Sequence, residues 1–153
     1  MRNLILMTAI FFLVAGLAPG APPAGPCALL SKADVEHALG GQVSDPKPNA
    51  TNAAVCDIKV GDYGVLNLMR QPSTPGVTPD RIMLELKKRK IPVTELAGLG
   101  DRSFFASPGY GMTQLNTFKG SNYLIITLMI PGAGEDKQKA AAQKVMSKVL
   151  AKL

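Results

Sequence analysis

His37 is the single histidine of the chain, and with Asp34 one helical turn before it an acid–base pair can be drawn. Such a pair needs a nucleophile that it can orient, and no buried nucleophile is visible beside it. An i, i+3 pair on an exposed helix face is ordinary, so no catalytic residue is expected. Cys27 and Cys56 are the only cysteines. Their spacing excludes a CxxC redox pair, and one histidine with two cysteines makes a poor transition-metal site. A calcium loop would need clustered acids in a DxDxDG-like run, which is absent. No metal and no cofactor are expected.

Cys27 raises a choice between a lipid anchor, a disulfide and a reactive thiol. The chain opens with MRN, a single positive charge at Arg2, then the apolar run "LILMTAIFFLVAGLA", too short for a comfortable membrane span and typical of a signal peptide. A small-x-small cleavage pattern at Ala18-Pro19-Gly20 puts the mature start near residue 21; an uncleaved anchor is the rival reading. A lipidated cysteine would follow that run directly in a Leu-small-small-Cys pattern, whereas Ala24-Gly25-Pro26 precedes Cys27 well beyond it. A lipid anchor is therefore not expected. Two cysteines in an exported chain most economically form one bridge. Closing that loop contributes on the order of 3–4 kcal/mol in the chain-entropy model.

Three further stretches invite a chemical reading. "GLGD" (98–101) has a lone GxG without the strand, the third glycine or the Lys-Ser/Thr tail of a phosphate cradle. It reads as a turn, with Gly98 and Gly100 supplying positive φ and Asp101 bonding its own backbone before the strand "RSFF". "KKRK", that is Lys87, Lys88, Arg89 and Lys90, could contact an anionic surface, but cations also complement the C-terminal dipole of a solvated helix. Lys144, Lys148 and Lys152 recur every fourth residue later, and the contact reading gains if both clusters share a face. Phe104, Phe105, Tyr110, Met112, Phe118 and Tyr123 gather most of the aromatic content into one stretch. They fit either an adaptable apolar pocket or the second half of a core, and a chain without tryptophan favours the core.

The elements that must hold these residues are well punctuated. In "LLSKADVEHALGG", Ser31 is the N-cap, Asp34 stands three residues on, Leu30 and Val35 form a hydrophobic staple, and Gly40-Gly41 ends the helix. Val35, Ala38 and Leu39 face the core, leaving His37 in solvent. After a Pro/Asn-rich loop over 44–53, Cys56, Ile58 and Val60 alternate with Asp57 and Lys59, and the chain turns at Gly61-Asp62 to return over 65–71: a β-hairpin with Cys56 on the buried face. Thr78 as N-cap and Pro79 at the first helical position open a second helix, 79–90, which Pro92 stops. The last helix is expected over 135–153 with its stripe at Ala142, Val145, Met146, Val149 and Leu153.

The two halves resemble one another at an offset of 60 residues: "YGVLNLM" (63–69) against "YLIITLM" (123–129), each within a hairpin followed by a helix. The expected fold is α+β, an antiparallel sheet of about five or six strands with three helices packed on it, a pseudo-twofold repeat and one disulfide. "NYLIITLMI" is apolar on both faces and reads as a central, covered strand. The expected layout is a signal peptide (1–20), a Pro/Ala linker (21–26) and a single domain (27–153).

"PCALLSKADVEHALGG", a second cysteine in the next hairpin and "ELAGLGDRSFF" before a later one resemble the small exported domains of unknown function common in actinobacteria, often lipoproteins. These are similar in appearance to the extracellular sensor domain of a mycobacterial serine/threonine kinase. The resemblance covers residues 26–152 and implies a helix-and-sheet sandwich with a helix-to-strand disulfide and a binding or sensing role. The missing lipobox departs from many of them. Loss of residues 1–20 removes one of 17 basic side chains, Arg2, leaving 16 against 11 acidic ones, a formal charge of +5. That surplus suits an anionic envelope partner, a peripheral membrane or cell-wall contact, or mere solubility, and no aromatic-basic motif points to nucleic acid. The leading expectation is an exported, non-enzymatic domain, periplasmic or secreted, that binds an envelope protein or a small apolar or anionic ligand. An envelope hydrolase inhibitor, a small envelope enzyme and a cationic wall-associated protein are the alternatives.

Overall fold

In the computed structural model, residues 25–153 are described; the expected signal peptide (1–20) and the expected linker up to residue 24 lie outside the described residues. Local chemistry sets the helices. Pro26–Leu29 is a one-turn 3₁₀ helix, followed by α1 (Lys32–Leu39). The Asp34 N–H donates to Ser31 Oγ at 3.1 Å, and the Ser31 hydroxyl donates to the Asp34 carboxylate at 2.6 Å. Gly40 ends α1 at φ +69°, and Leu30 and Val35 are both buried, as the staple requires.

Helix α2 (Pro79–Lys88) begins at the Thr78 cap as expected but stops two residues earlier than the sequence suggests. Ile91 precedes a proline and is therefore disfavoured in the helical region, so the chain unwinds ahead of it, Lys90 turning to φ +58°. Helix α3 (Glu135–Leu150) also ends early. The N–H groups of Lys152 and Leu153 bond three residues back in 3₁₀ fashion, and Leu153 is exposed rather than part of the stripe. Gln138 and Ala141 join the buried face instead.

The strands β1 (Lys47–Pro48), β2 (Val55–Val60), β3 (Gly64–Pro72), β4 (Val93–Leu96), β5 (Arg102–Gly109), β6 (Met112–Lys119) and β7 (Asn122–Met129) form one sheet in the order β1-β2-β3-β7-β6-β5-β4. All pairings are antiparallel. The architecture is the α+β sandwich anticipated, with seven strands instead of five or six. The edges account for the excess. β1 lies inside the Pro/Asn-rich loop, where Pro48 is tolerated because an edge strand need not donate from every residue.

The repeat is visible in the sheet. β3 and β7 pair at its centre with Asn67 opposite Thr127, two residues that correspond at the 60-residue offset, and β2 and β6 flank them. The helices break this symmetry. Alternate β7 residues point to opposite faces: Leu124, Ile126 and Leu128 enter the larger core with α1 and α3, while Tyr123 and Ile125 enter a smaller one with Met83 of α2. β7 is thus central, and it is buried on both sides over residues 123–126. Thr127 and Met129 are only half-buried, because α2 covers only part of its face.

Cys27 and Cys56 are bonded, with Cα atoms 5.0 Å apart. Cys56 is fully buried among the larger core, and Cys27 sits on the 3₁₀ turn just before α1, so the bridge clamps the N-terminal helical segment onto β2. Such a bond belongs to an oxidising compartment. No helix among the described residues is long and apolar enough to cross a membrane. The double variant Cys27→Ala/Cys56→Ala should lose about 3–4 kcal/mol of stability, read as a lower urea midpoint; an unchanged midpoint would contradict the clamping role.

Candidate functional site

The six aromatic and methionine candidates do not form one pocket. Phe104 and Phe105 are adjacent in β5 and must face opposite ways; Phe105 enters the larger core, where the Lys139 ammonium lies 5.6 Å from its ring centroid. Tyr110 is 92% exposed at the β5–β6 turn with φ +55°, and Met112 is half-buried. Phe104, Phe118 and Tyr123 do converge, with Ile125 and Met83, in the smaller core beneath α2. Phe118 and Tyr123 are cross-strand partners, and their rings stack at 4.3 Å between centroids.

A polar pair lies inside this aromatic layer. Asn116 is 1% exposed and opposite Ile125 and Phe104 on its two neighbouring strands. The Tyr123 hydroxyl donates to Asn116 Oδ1 at 2.6 Å. Asn116 Nδ2 has no hydrogen-bond partner, and leaving such a donor unsatisfied in an apolar surround costs about 1–3 kcal/mol. Burial also pushes the Tyr123 phenol up. The helix above is thinly held: α2 buries one side chain, Met83, whereas α3 buries six. Arg102 of β5 ties the start of α2 to the sheet through Asp80 at 2.7 Å and also bonds Glu95 of β4 at 3.3 Å. These pairs are exposed and contribute little individually.

Sequence reasoning missed Asn116. The signal was there, because an asparagine amid "LNTF" is a poor strand residue and needs a reason to be inside.

The "GLGD" turn supports the layer from behind. Gly98 and Gly100 have φ of +79° and +62°. A Cβ on Gly100 would lie 2.6 Å from the Phe118 carbonyl oxygen, whereas one on Gly98 would meet open space. Asp101 differs from expectation. Its N–H donates to Phe118 O at 2.8 Å, and its carboxylate accepts from the Gly120 N–H at 2.6 Å and from Lys119 at 3.3 Å. It therefore clamps the β6–β7 turn rather than its own backbone, and the Gly120 N–H, followed by Lys119, holds its carboxyl below the usual range.

The remaining candidates stand apart. Lys87, Lys88, Arg89 and Lys90 are all exposed, and Lys88 pairs with Glu85 at 2.8 Å. Lys144 and Lys148 lie on α3, across the sheet from α2, and Lys152 pairs with Asp34 at 2.8 Å, so the two basic clusters share no face. Asp34 is engaged by Lys152 and Ser31, which lower its pKa, and not by the exposed His37. Among the described residues, no group of three His, Cys, Asp or Glu side chains is placed to hold a metal.

Two measurements check this geometry. Gly100→Ala should cost about 3 kcal/mol or more and Gly98→Ala about 1 kcal/mol; equal losses by urea titration would deny the close approach to Phe118. Because the folded Tyr123 holds its proton more tightly than the unfolded chain, its contribution is complete below about pH 10 and is lost as pH rises beyond that. Urea midpoints between pH 8 and 11 should therefore fall more steeply for the parent than for Tyr123→Phe, and parallel slopes would contradict the burial.

No protein-family model matches the chain, and no curated protein or solved structure matches it either.

Proposed function

We propose that the protein is an exported binding domain of the cell envelope that takes a small, largely apolar ligand carrying a hydrogen-bond acceptor in the aromatic layer beneath α2. The unpartnered Asn116 Nδ2 carries this reading. A ligand acceptor placed against it would satisfy a buried donor that the folded chain leaves alone, while the ligand's apolar part replaces Met83 against Phe104, Phe118 and Ile125.

Export is supported by the N-terminal apolar run behind Arg2 and by a disulfide, which suits an oxidising compartment. A binding rather than catalytic role is supported by the carboxylates: Asp34, Asp80, Glu95, Asp101 and Glu135 are each occupied by a structural partner. A sensing role is what the resemblance noted in the sequence implies, and α2 would be its moving part. Displacing α2 strains the Arg102–Asp80 contact and alters the surface that bears Lys87 to Lys90.

Native mass spectrometry of protein purified gently from its own envelope or medium tests this. Extra mass in the native spectrum, absent after denaturation and lost in Asn116→Leu, is the expected result. A bare monomer from parent and variant alike would overturn it.

A further inference from the structure

Among the described residues, Arg70 is the half-buried cation that has no carboxylate partner. It is half-buried in the last part of β3, and its Nε–H donates to Asn122 Oδ1 of β7 at 2.9 Å. That single bond fixes the plane of the guanidinium and leaves its terminal N–H groups. Among the described residues no carboxylate pairs with it, although Arg102 has two. Its stem is covered while the terminal N–H groups are not among the buried unpartnered atoms, so they face the solvent and are open to a ligand. Arg70 lines a shallow cleft of about 430 Å³, with Pro26, Ala53, Ala54 and Pro72 as apolar walls and Ser121 and Asn122 as polar neighbours. No residue of α2 contributes, so this site is independent of the layer beneath that helix.

We propose that this cleft binds the carboxylate of a small organic acid, the guanidinium fork taking the carboxylate and the proline and alanine walls taking its apolar body. Arginine presents paired donors that match a carboxylate. Arg70 is the only cation lining the cleft among the described residues, which matches a monoanion, whereas a phosphate dianion would call for a second. The walls carry no acid to compete.

Titration of the ¹⁵N-labelled mature chain with sodium benzoate, followed by NMR, tests the assignment. Saturable shifts of the Arg70 Nε–H and the Ala54 and Ser121 amides are expected with benzoate, and none with neutral benzamide or with sodium chloride at equal ionic strength. Arg70→Met should weaken binding about 10- to 100-fold, the loss expected for a charged hydrogen bond. Asn122→Asp keeps the shape, hands Arg70 a carboxylate from within the chain and should block benzoate, so the test survives if Arg70→Met fails to fold. Unsaturable shifts, equal shifts with chloride, tighter binding of inorganic phosphate than of benzoate, or undiminished binding in either variant would overturn the proposal.

Discussion

The antiparallel pairing of β3 with β7 is the contact on which the rest of the molecule depends. It joins residues 50 to 64 positions apart in sequence, from Val65 opposite Met129 to Pro72 opposite Asn122, and each of its strands then carries a local hairpin partner, β2 on one side and β6 on the other. Without this pairing the sheet would part into a three-stranded piece, β1-β2-β3, and a four-stranded one, β7-β6-β5-β4, and neither would keep the shared floor on which the cores are built. With it, alternate residues of the central strands supply the floors of two cores at once. A one-residue slip would exchange those floors, sending Leu124, Ile126 and Leu128 to the side of α2 and the Tyr123–Asn116 pair to the side of α3.

The two faces are closed to very different degrees. On one, α1 and α3 lie over a continuous core, and the Cys27–Cys56 bridge prevents the N-terminal segment from leaving. The Lys152–Asp34 pair then ties the end of the chain to α1. On the other face α2 covers one portion of the sheet by means of Met83, Ile82 and Leu86, leaving Val65, Asn67, Thr127 and Met129 half-exposed beside it. Elements with few buried side chains open at lower free energy than those with many. On this criterion α2, with one buried side chain against six for α3, is the helix that opens most readily.

Features set by neighbours in sequence were legible in advance. Caps, staples and the first hairpin depend on residues within a turn or two of each other, and Ser31, Gly40, Thr78 and Pro79 sit where the sequence places them. The disulfide was legible from arithmetic, because only two cysteines exist. The edge strands were not: β1 has two residues and β4 four, too short for a period-2 pattern to register. The division of the aromatics was legible in principle, since adjacent Phe104 and Phe105 cannot face the same core, but which face each took depends on the β3–β7 register. Asn116 and Arg70 escaped because their distinction is a missing partner. A sequence shows which groups are present and not which are left alone.

The placement of the unsatisfied amide follows from this asymmetry. Beneath α3, reaching such a group would require withdrawing six side chains from the core. Beneath α2, the loss is the burial of Met83, about 1.5–3 kcal/mol, with part of that of Ile82 and Leu86. A ligand that fills the same space recovers most of that loss, and the hydrogen bond to Asn116 Nδ2 removes a penalty of similar size. Under the proposed function, the balance is less costly on this face than beneath α3. A buried donor without a partner is tolerable where the covering element can be exchanged for something that accepts from it.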